Sequence, residues 1–213
     1  MRKIFLPLLI FLSFLISACS TNTPQPTPQV VSVYSSFAAE PWLSELYDCA
    51  ASQSHVVLSR VDDSSAADIV LQIGEPTIAS FAYQIDTEEI LIVTQRQSPI
   101  QNLNLEGVQA LFMGLGDPSV QLWVYASDAD AQQVFDQLVM EGRSVSASAL
   151  LAVNPQQMSD TLVNQPNTVG ILPRHWKVGD SREVFSAGIV PVLALAKTEP
   201  QGTIKELIVC LQK

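Results

Sequence analysis

The order of apolar segments along the chain is the feature that most constrains its fold. Short β-branched runs, such as Val30 to Tyr34 and Asp68 to Ile73, alternate with stretches in which apolar residues recur every three or four positions. The first pattern is typical of buried strands and the second of amphipathic helices. Their alternation predicts an α/β fold with mostly parallel sheets flanked by helices. Two groups of such units, around 30–80 and 100–180, indicate two lobes.

Helix boundaries are predicted from capping residues, prolines and glycines. A polar residue with a short side chain typically precedes the first turn, and glycine often ends the last turn. The predicted starts are Pro41 for the first helix, Asn104 for the second, Ser127 or Asp128 for the third and Asn154-Pro155 for the fourth, and a last helix carries the apolar stripe Ile204 to Leu211.

Two long extended regions are predicted between these units. Phe81 to Ile85 and Glu89 to Thr94 are typical of two strands around a tight turn at Asp86-Thr87. The second region, Val184 to Ala196, is predicted to be extended with a break near Pro191. Phe81 to Gln95 and Val184 to Ala196 are the candidate hinges, because closure of two lobes requires a few connecting segments that bend.

The N-terminal segment has the pattern of a secretory signal. Arg2 and Lys3 precede the apolar run Ile4 to Ile16, which is shorter than the roughly 20 residues of a membrane span. Its end, Ile16-Ser17-Ala18-Cys19, resembles the lipobox of bacterial lipoproteins. The resemblance implies cleavage after residue 18, acylation of Cys19, for example with palmitate, and a location in the cell envelope. The alternative is an ordinary signal peptide followed by a cysteine.

The residues after Cys19 predict a tether and then a folded domain. Residues 19–29 are rich in Pro, Thr and Gln, a composition that favours extended conformations and builds no core. Residues 30–213 are long enough for one large or two small domains with a real core. We therefore expect a lipid-anchored extracytoplasmic domain held away from the membrane surface.

Charge and motif content exclude several classes of function. The formal net charge is −10, which argues against a nucleic-acid partner. The sequence contains no Gly-x-Ser-x-Gly, His-Glu-x-x-His or Cys-x-x-Cys motif, and no calcium-binding loop spacing. His55 and His175 are interpreted as loop or solvent-facing histidines. We therefore expect no enzyme activity, no cofactor and no metal site.

Two cysteines remain besides Cys19. Cys49 lies late in the first predicted helix and Cys210 late in the last. In an oxidising compartment such a pair favours a disulfide that would join the two ends of the fold. The alternative is a pair of buried free thiols, because sequence alone does not measure their separation.

The extended run Ile90 to Thr94 is followed by Ser98-Pro99-Ile100 and by the predicted helical segment Asn102 to Gly114. Two further segments are Ala67 to Val70 and Asn167 to Leu172. Together these segments resemble the type 2 periplasmic binding proteins, and in particular the phosphate-type substrate-binding proteins of ABC transporters. The resemblance covers residues 30–213 in order.

The resemblance implies two lobes and a binding function. Lobe 1 would comprise about 30–85 and 190–213, and lobe 2 about 90–185. The implied function is a solute-binding lipoprotein that captures a small polar or anionic ligand, such as an inorganic anion, for an ABC permease. The alternative is a protein that keeps the fold, has lost the ligand and has a structural or signalling role.

Ligands in α/β sheets bind at the carboxyl ends of strands, which predicts the site residues. Ser35, Ser36 and Phe37 follow the first strand, and Ser127 and Asp128 follow the strand Val120 to Ala126. We expect these two loops to face each other across a cleft. The alternative is that Ser36 and Asp128 only cap helices. The family's Ser-Gly-Thr at the second loop is replaced by Ser127-Asp128-Ala129-Asp130, and these carboxylates would repel an anion.

Overall fold

The computed structural model of the protein describes residues 28–76 and 80–213. The predicted signal peptide, Cys19 and most of the predicted tether lie outside the described residues. Gln29, the last residue of that predicted tether, already belongs to the first strand.

Eight strands and five α-helices make up the described part of the chain. The strands are β1 (Gln29–Ser35), β2 (Val56–Arg60), β3 (Ile69–Ile73), β4 (Phe81–Thr94), β5 (Gln121–Val124), β6 (Leu150–Leu151), β7 (Thr168–Pro173) and β8 (Arg182–Ala196). The helices are α1 (Glu40–Ala51), α2 (Leu105–Ala110), α3 (Asp130–Phe135), α4 (Pro155–Asn164) and α5 (Gly202–Leu211). Helices α2 and α3 continue as π-helical segments, Leu111–Leu115 and Asp136–Met140.

All eight strands form one sheet in the order β2-β1-β3-β8-β4-β7-β5-β6. The outer pairings β1/β2, β1/β3, β5/β6 and β5/β7 are parallel, as expected for βα units. The central pairings β3/β8, β4/β8 and β4/β7 are antiparallel. The predicted α/β fold is therefore confirmed as a mixed sheet with helices packed against it.

Two lobes share this sheet. The first lobe contains β1, β2 and β3 with helices α1 and α5, and the second contains β5, β6 and β7 with helices α2, α3 and α4. Strands β4 and β8 pair with each other along most of their length and pass from one lobe into the other. β4 and β8 therefore connect the two lobes.

The predicted turn at Asp86-Thr87 is wrong. β4 runs without a turn from Phe81 to Thr94, and its pairing with β8 continues through register shifts at Gln84/Asp86, Ile90/Leu91 and Ile92/Val93. The predicted break near Pro191 is also absent, because Pro191 lies within β8 opposite Thr87. The apparent turn and the apparent break both lie at the polar point where β4 and β8 cross between the lobes. There each strand leaves one hydrophobic core and enters the other.

Buried strand residues form a core in each lobe, on either side of the point where β4 and β8 cross between the lobes. Ile69, Leu71 and Ile73 alternate into the first lobe's core, and every residue of β7 is buried in the second. In β4, burial changes from mostly exposed positions at its start to the fully buried run Ile90 to Val93. This change in burial explains why apolar and polar residues do not alternate regularly along the whole of β4.

A disulfide joins Cys49 of α1 to Cys210 of α5, with the Cα atoms 6.0 Å apart. This is the bridge that the sequence predicts, and free thiols at these positions are excluded in this structure. The bond encloses a chain segment with a sequence separation of 161 residues. It therefore connects the beginning and the end of the first lobe around the entire second lobe.

Candidate functional site

The segments that follow β1 and β5 meet where the two lobes touch. The Ser36 Oγ of the first lobe donates to the Asp130 Oδ2 of the second lobe at 2.5 Å. The backbone N–H of Ile73, at the end of β3, donates to the same oxygen at 3.0 Å. We call Ser36, Ile73, Gly74, Asp130 and Val134 the interlobe contact.

Local structure fixes both sides of this contact. The Ser36 Oγ also accepts the backbone N–H of Ala39 at 3.2 Å, so the hydroxyl is held by the turn before α1. Asp130 is the first residue of α3, and its Oδ1 accepts the N–H of Ala131 at 2.9 Å. The carboxylate thus takes two hydrogen bonds from the first lobe and one from its own helix.

Gly74 allows the two lobes to approach this closely. It has φ of +77°, and a Cβ at this position would lie 2.6 Å from the Val134 Cγ2 of α3. A side chain there would push α3 away from the end of β3, because a separation that short is a severe overlap. The sequence therefore encodes close packing between the lobes as well as a hydrogen bond.

Burial dominates the electrostatics of the contact. It raises the pKa of Asp130 above the usual aspartate value, although hydrogen bonds from Ser36 and Ile73 favour the charged form. Burial and the nearby Asp130 also raise the pKa of Tyr34 and of Tyr125. The Tyr125 hydroxyl is buried and has no hydrogen-bond partner among the described residues.

A second set of side chains, the hinge cluster, lies beside the crossing strands. Trp42 of α1 donates through Nε1 to the Asp86 Oδ2 of β4 at 3.0 Å. Its ring lies 4.6 Å from the ring of His175, whose Nδ1 is 3.0 Å from the Glu88 Oε2. Glu88 is only 1% exposed, and burial raises its pKa, an effect that His175 opposes. Trp176 completes the cluster.

Trp176 is a further link between the lobes. It lies in the short 3₁₀ turn Arg174–Trp176 after β7, and its Nε1 donates to the backbone carbonyl of Ala38 at 3.2 Å. The structure places it, half-buried, against the loop that precedes α1. His175, interpreted from sequence as a loop or solvent-facing histidine, lies in this turn with its side chain 46% exposed, and its ring also contacts Trp42.

Not all of the predicted site residues take part in the interlobe contact. Ser36 takes part in it directly. Ser35 is 5% exposed, and its hydroxyl donates to the backbone carbonyl of Ser36. Phe37 is 52% exposed beside the contact, and Ser127 and Asp128 are exposed on the loop that leads to Asp130. Ligand binding by these five residues stays a prediction.

The capping alternative is wrong for Asp128. Helix α3 begins two residues later, at Asp130, and Ala129 occupies the N-cap position without a side-chain hydrogen bond. Within the described residues, the Asp128 carboxylate makes no hydrogen bond. Nothing in the sequence indicated Ile73, and Asp130 was interpreted only as a carboxylate that would repel an anion. A second carboxylate at the start of a helix was visible in the sequence, but its partners 57 and 94 positions away were not.

Two cavities lie elsewhere on the second lobe. One, of about 460 Å³, runs along α4 beside Asn154 and Thr161, and the other, of about 420 Å³, lies between Leu111 and Leu122. Neither is lined by Ser36 or Asp130.

The described residues contain neither a metal-binding cluster nor a membrane-spanning helix. No three His, Cys, Asp or Glu side chains are grouped so that they could hold a metal ion there. Among the helices of residues 28–76 and 80–213, none has the length and apolar content needed to cross a bilayer.

No protein-family model matches the sequence, and no curated protein matches it either. Solved structures do match the fold. A phosphate ABC transporter substrate-binding protein from Clostridium perfringens, with bound phosphate, has a TM-score of 0.76 at 13% identity, over 86% of this chain and 93% of that one. An ABC-type phosphate transport receptor from Vibrio cholerae has a TM-score of 0.63 at 18% identity, over the same shares.

This chain has the type 2 periplasmic-binding-protein fold. The fold also occurs in regulatory domains. The CcmR regulatory domain of Synechocystis PCC6803, in complex with 2-PG, has a TM-score of 0.66 at 9% identity, over 86% of this chain and 95% of that one. The resemblance drawn from the sequence is therefore confirmed at the level of the fold, and the similar structures include both transport receptors and regulators.

Proposed function

We propose that this protein is an extracytoplasmic, lipid-anchored solute-binding protein that closes its two lobes around a small polar ligand and presents it to an ABC permease. The observation that carries the proposal is the position of the interlobe contact. Ser36 and Asp130 follow strands of different lobes and meet where β4 and β8 allow those lobes to separate. Opening at this point would expose both loops to solvent.

The chemistry of the contact favours a polar ligand. Separating the lobes would free the Ser36 hydroxyl, the Ile73 N–H and the Asp130 carboxylate, which together supply donors and an acceptor. Phe37, 52% exposed beside them, would add an apolar surface. The proposal is for binding rather than catalysis, because the similar structures reported above are binding proteins and regulatory domains.

A thermal-unfolding screen tests this proposal. The full-length protein, purified from membranes in mild detergent, is heated with single solutes: inorganic phosphate, sulfate, sugars, amino acids and polyamines. A ligand at a hundredfold excess over its Kd stabilises the folded state by about 2.7 kcal/mol. At least one solute should raise the Tm in a concentration-dependent manner. The absence of any such solute would contradict the proposal.

The lipid anchor has its own test. A thiol forms the thioether to the lipid and a hydroxyl does not, so Cys19→Ser should abolish incorporation of radiolabelled fatty acid. The variant should also leave the detergent phase during partitioning. A Cys19→Ser protein that still carries labelled fatty acid would overturn the anchor proposal.

A second candidate function is a lipoprotein that keeps the fold for a structural or signalling role. Asp130 already satisfies the donors of the interlobe contact, and this observation favours the candidate. The occurrence of the fold in regulatory domains is compatible with it. The two candidates differ in the thermal screen, because a protein without a ligand gains no stability from any solute.

A further inference from the structure

The donors of the interlobe contact converge as they would on a bound anion. The Ser36 Oγ and the Ile73 N–H come from two different strand ends of the first lobe, and both point at one oxygen, the Asp130 Oδ2. The Ala131 N–H donates to the other oxygen. Charge-assisted hydrogen bonds of this kind are the ones that hold oxyanions in proteins.

The donors are held in place independently of Asp130. The hydroxyl of Ser36 is restrained by the Ala39 N–H, and the Ile73 N–H belongs to a strand fixed by its pairing with β8. Gly74 leaves room for the close approach of α3. The first lobe therefore presents a preorganised pair of hydrogen-bond donors, and the Asp130 carboxylate of the second lobe accepts from both.

An external anion and the Asp130 carboxylate cannot use these donors together. One negative charge about 4 Å from another weakens binding by roughly tenfold to several hundredfold, depending on solvent screening. Among the described residues, the buried Tyr125 hydroxyl has no hydrogen-bond partner, and it is near enough to Asp130 for its pKa to be raised by that charge. Within the same part of the chain, an unpaired polar group is thus buried close to the interlobe contact.

We infer that Asp130 is an intramolecular competitor that determines the specificity of the interlobe contact, since its carboxylate occupies the donors that a small oxyanion would use. This inference rests on the proposed binding function. An oxyanion binds the wild-type protein only by displacing Asp130, and therefore weakly. Removal of the carboxylate frees Ser36 and Ile73 and turns the contact into a site for a small oxyanion.

Calorimetric titration with sulfate tests the inference, because the charge of sulfate is constant near neutral pH. Asp130→Ala should bind sulfate at least tenfold more tightly than the wild-type protein. Asp130→Asn keeps the shape of the side chain, removes its charge and should lie between the two. Titration with inorganic phosphate should give the same order.

The matched control is Asp48→Ala, which removes the same charge from an exposed position of α1. It should bind sulfate as the wild-type protein does. An equal gain in Asp48→Ala would overturn the inference, because the effect would then come from net charge. If Asp130→Ala does not fold, Asp130→Asn decides the question, and affinity equal to or below wild type overturns the inference.

This result is distinguishable from failure of the proposed function. The proposed function fails when no solute stabilises the wild-type protein in the thermal screen. The inference fails when the Asp130 variants gain no affinity for sulfate, whatever the wild-type protein binds. If the Asp130 variants gain affinity for sulfate while no solute stabilises the wild-type protein, the inference about Asp130 is supported. The second candidate function is then favoured over the first.

Discussion

The first lobe is closed by a covalent bond, whereas the second lobe is held by non-covalent contacts. Cys49 and Cys210 join α1 to α5 in the first lobe. The second lobe contains no cysteine, and its helices rest on apolar contacts such as Phe112 on Phe135, whose ring centroids are 4.7 Å apart. The difference follows chain connectivity, because the first lobe is assembled from both ends of the domain and the second from one continuous stretch.

The comparison indicates that the disulfide offsets the entropic cost of joining two segments of the first lobe that are far apart in sequence. Bringing residues far apart in sequence together costs entropy that local units do not lose. The second lobe avoids this cost, since β5, β6 and β7 follow one another within a short stretch of chain. The variants below therefore act differently on the two lobes, or on the connection between them.

The largest expected effect is loss of the disulfide. A Cys49→Ser, Cys210→Ser double variant should lower the free energy of unfolding by about 4–5 kcal/mol in the chain-entropy model. Urea denaturation measures the loss. Wild-type protein treated with reductant should unfold at the urea concentration of the double variant. A double variant as stable as the oxidised wild-type protein would contradict the proposed contribution of the bond.

A matched pair of core truncations comes next. Leu46 in the first lobe and Leu162 in the second are both fully buried. Leu46→Ala and Leu162→Ala should each lower the free energy of unfolding by about 3 kcal/mol. Because β4 and β8 run through both cores, each variant should still show one cooperative transition by calorimetry. A second transition in either variant would show that the lobes unfold separately.

The contact between the lobes has a smaller effect. Ser36→Ala removes a hydrogen bond to a carboxylate and should cost about 2 kcal/mol. Ser35→Ala is the neighbouring control, since its hydroxyl donates only to a backbone carbonyl, and it should cost about 1 kcal/mol. Thermal denaturation gives both values. Equal losses in the two variants would mean that the bond to Asp130 does not stabilise closure.

The smallest effect is a change in pH dependence at the hinge cluster. Burial raises the pKa of Glu88 above its usual 4.5, so the folded protein binds this proton more tightly than the unfolded chain. The ionised form of Glu88 therefore destabilises the folded state above the raised pKa. This destabilisation is lost as the pH falls from the raised pKa towards 4.5.

The Glu88→Gln variant should lose this contribution, and its Tm should rise less than that of the wild-type protein on mild acidification. The exposed Glu206→Gln is the control and should follow the wild-type curve. A Glu88→Gln curve parallel to that of the wild type would contradict the assignment of this pH dependence to Glu88.

Local signals in the sequence predicted local structure well. Asn104 and Asn154 were predicted to begin helices, and each accepts the N–H three residues later at 2.8 Å. Such caps depend only on neighbouring residues. β6 was missed, because two residues, Leu150 and Leu151, carry no periodicity.

Features set by tertiary contacts were predicted less well. Asp86 and Thr87 have the composition of a turn, yet they lie within β4, where the strand crosses between the lobes. The same limit applied to the site. The sequence indicated the two loops, but the bond from Ser36 to Asp130 depends on how the lobes dock.

The disulfide also has a mechanical consequence. Its ring contains the whole second lobe, both crossing strands and most of the first lobe. A stretching force applied to the two ends of the domain would run through Gln29, α1 and the Cys49–Cys210 bond and then leave through the last turn of α5. Such a force would pull β1 out from between its neighbours β2 and β3 and leave the enclosed segment unstretched, so the second lobe would be shielded from load.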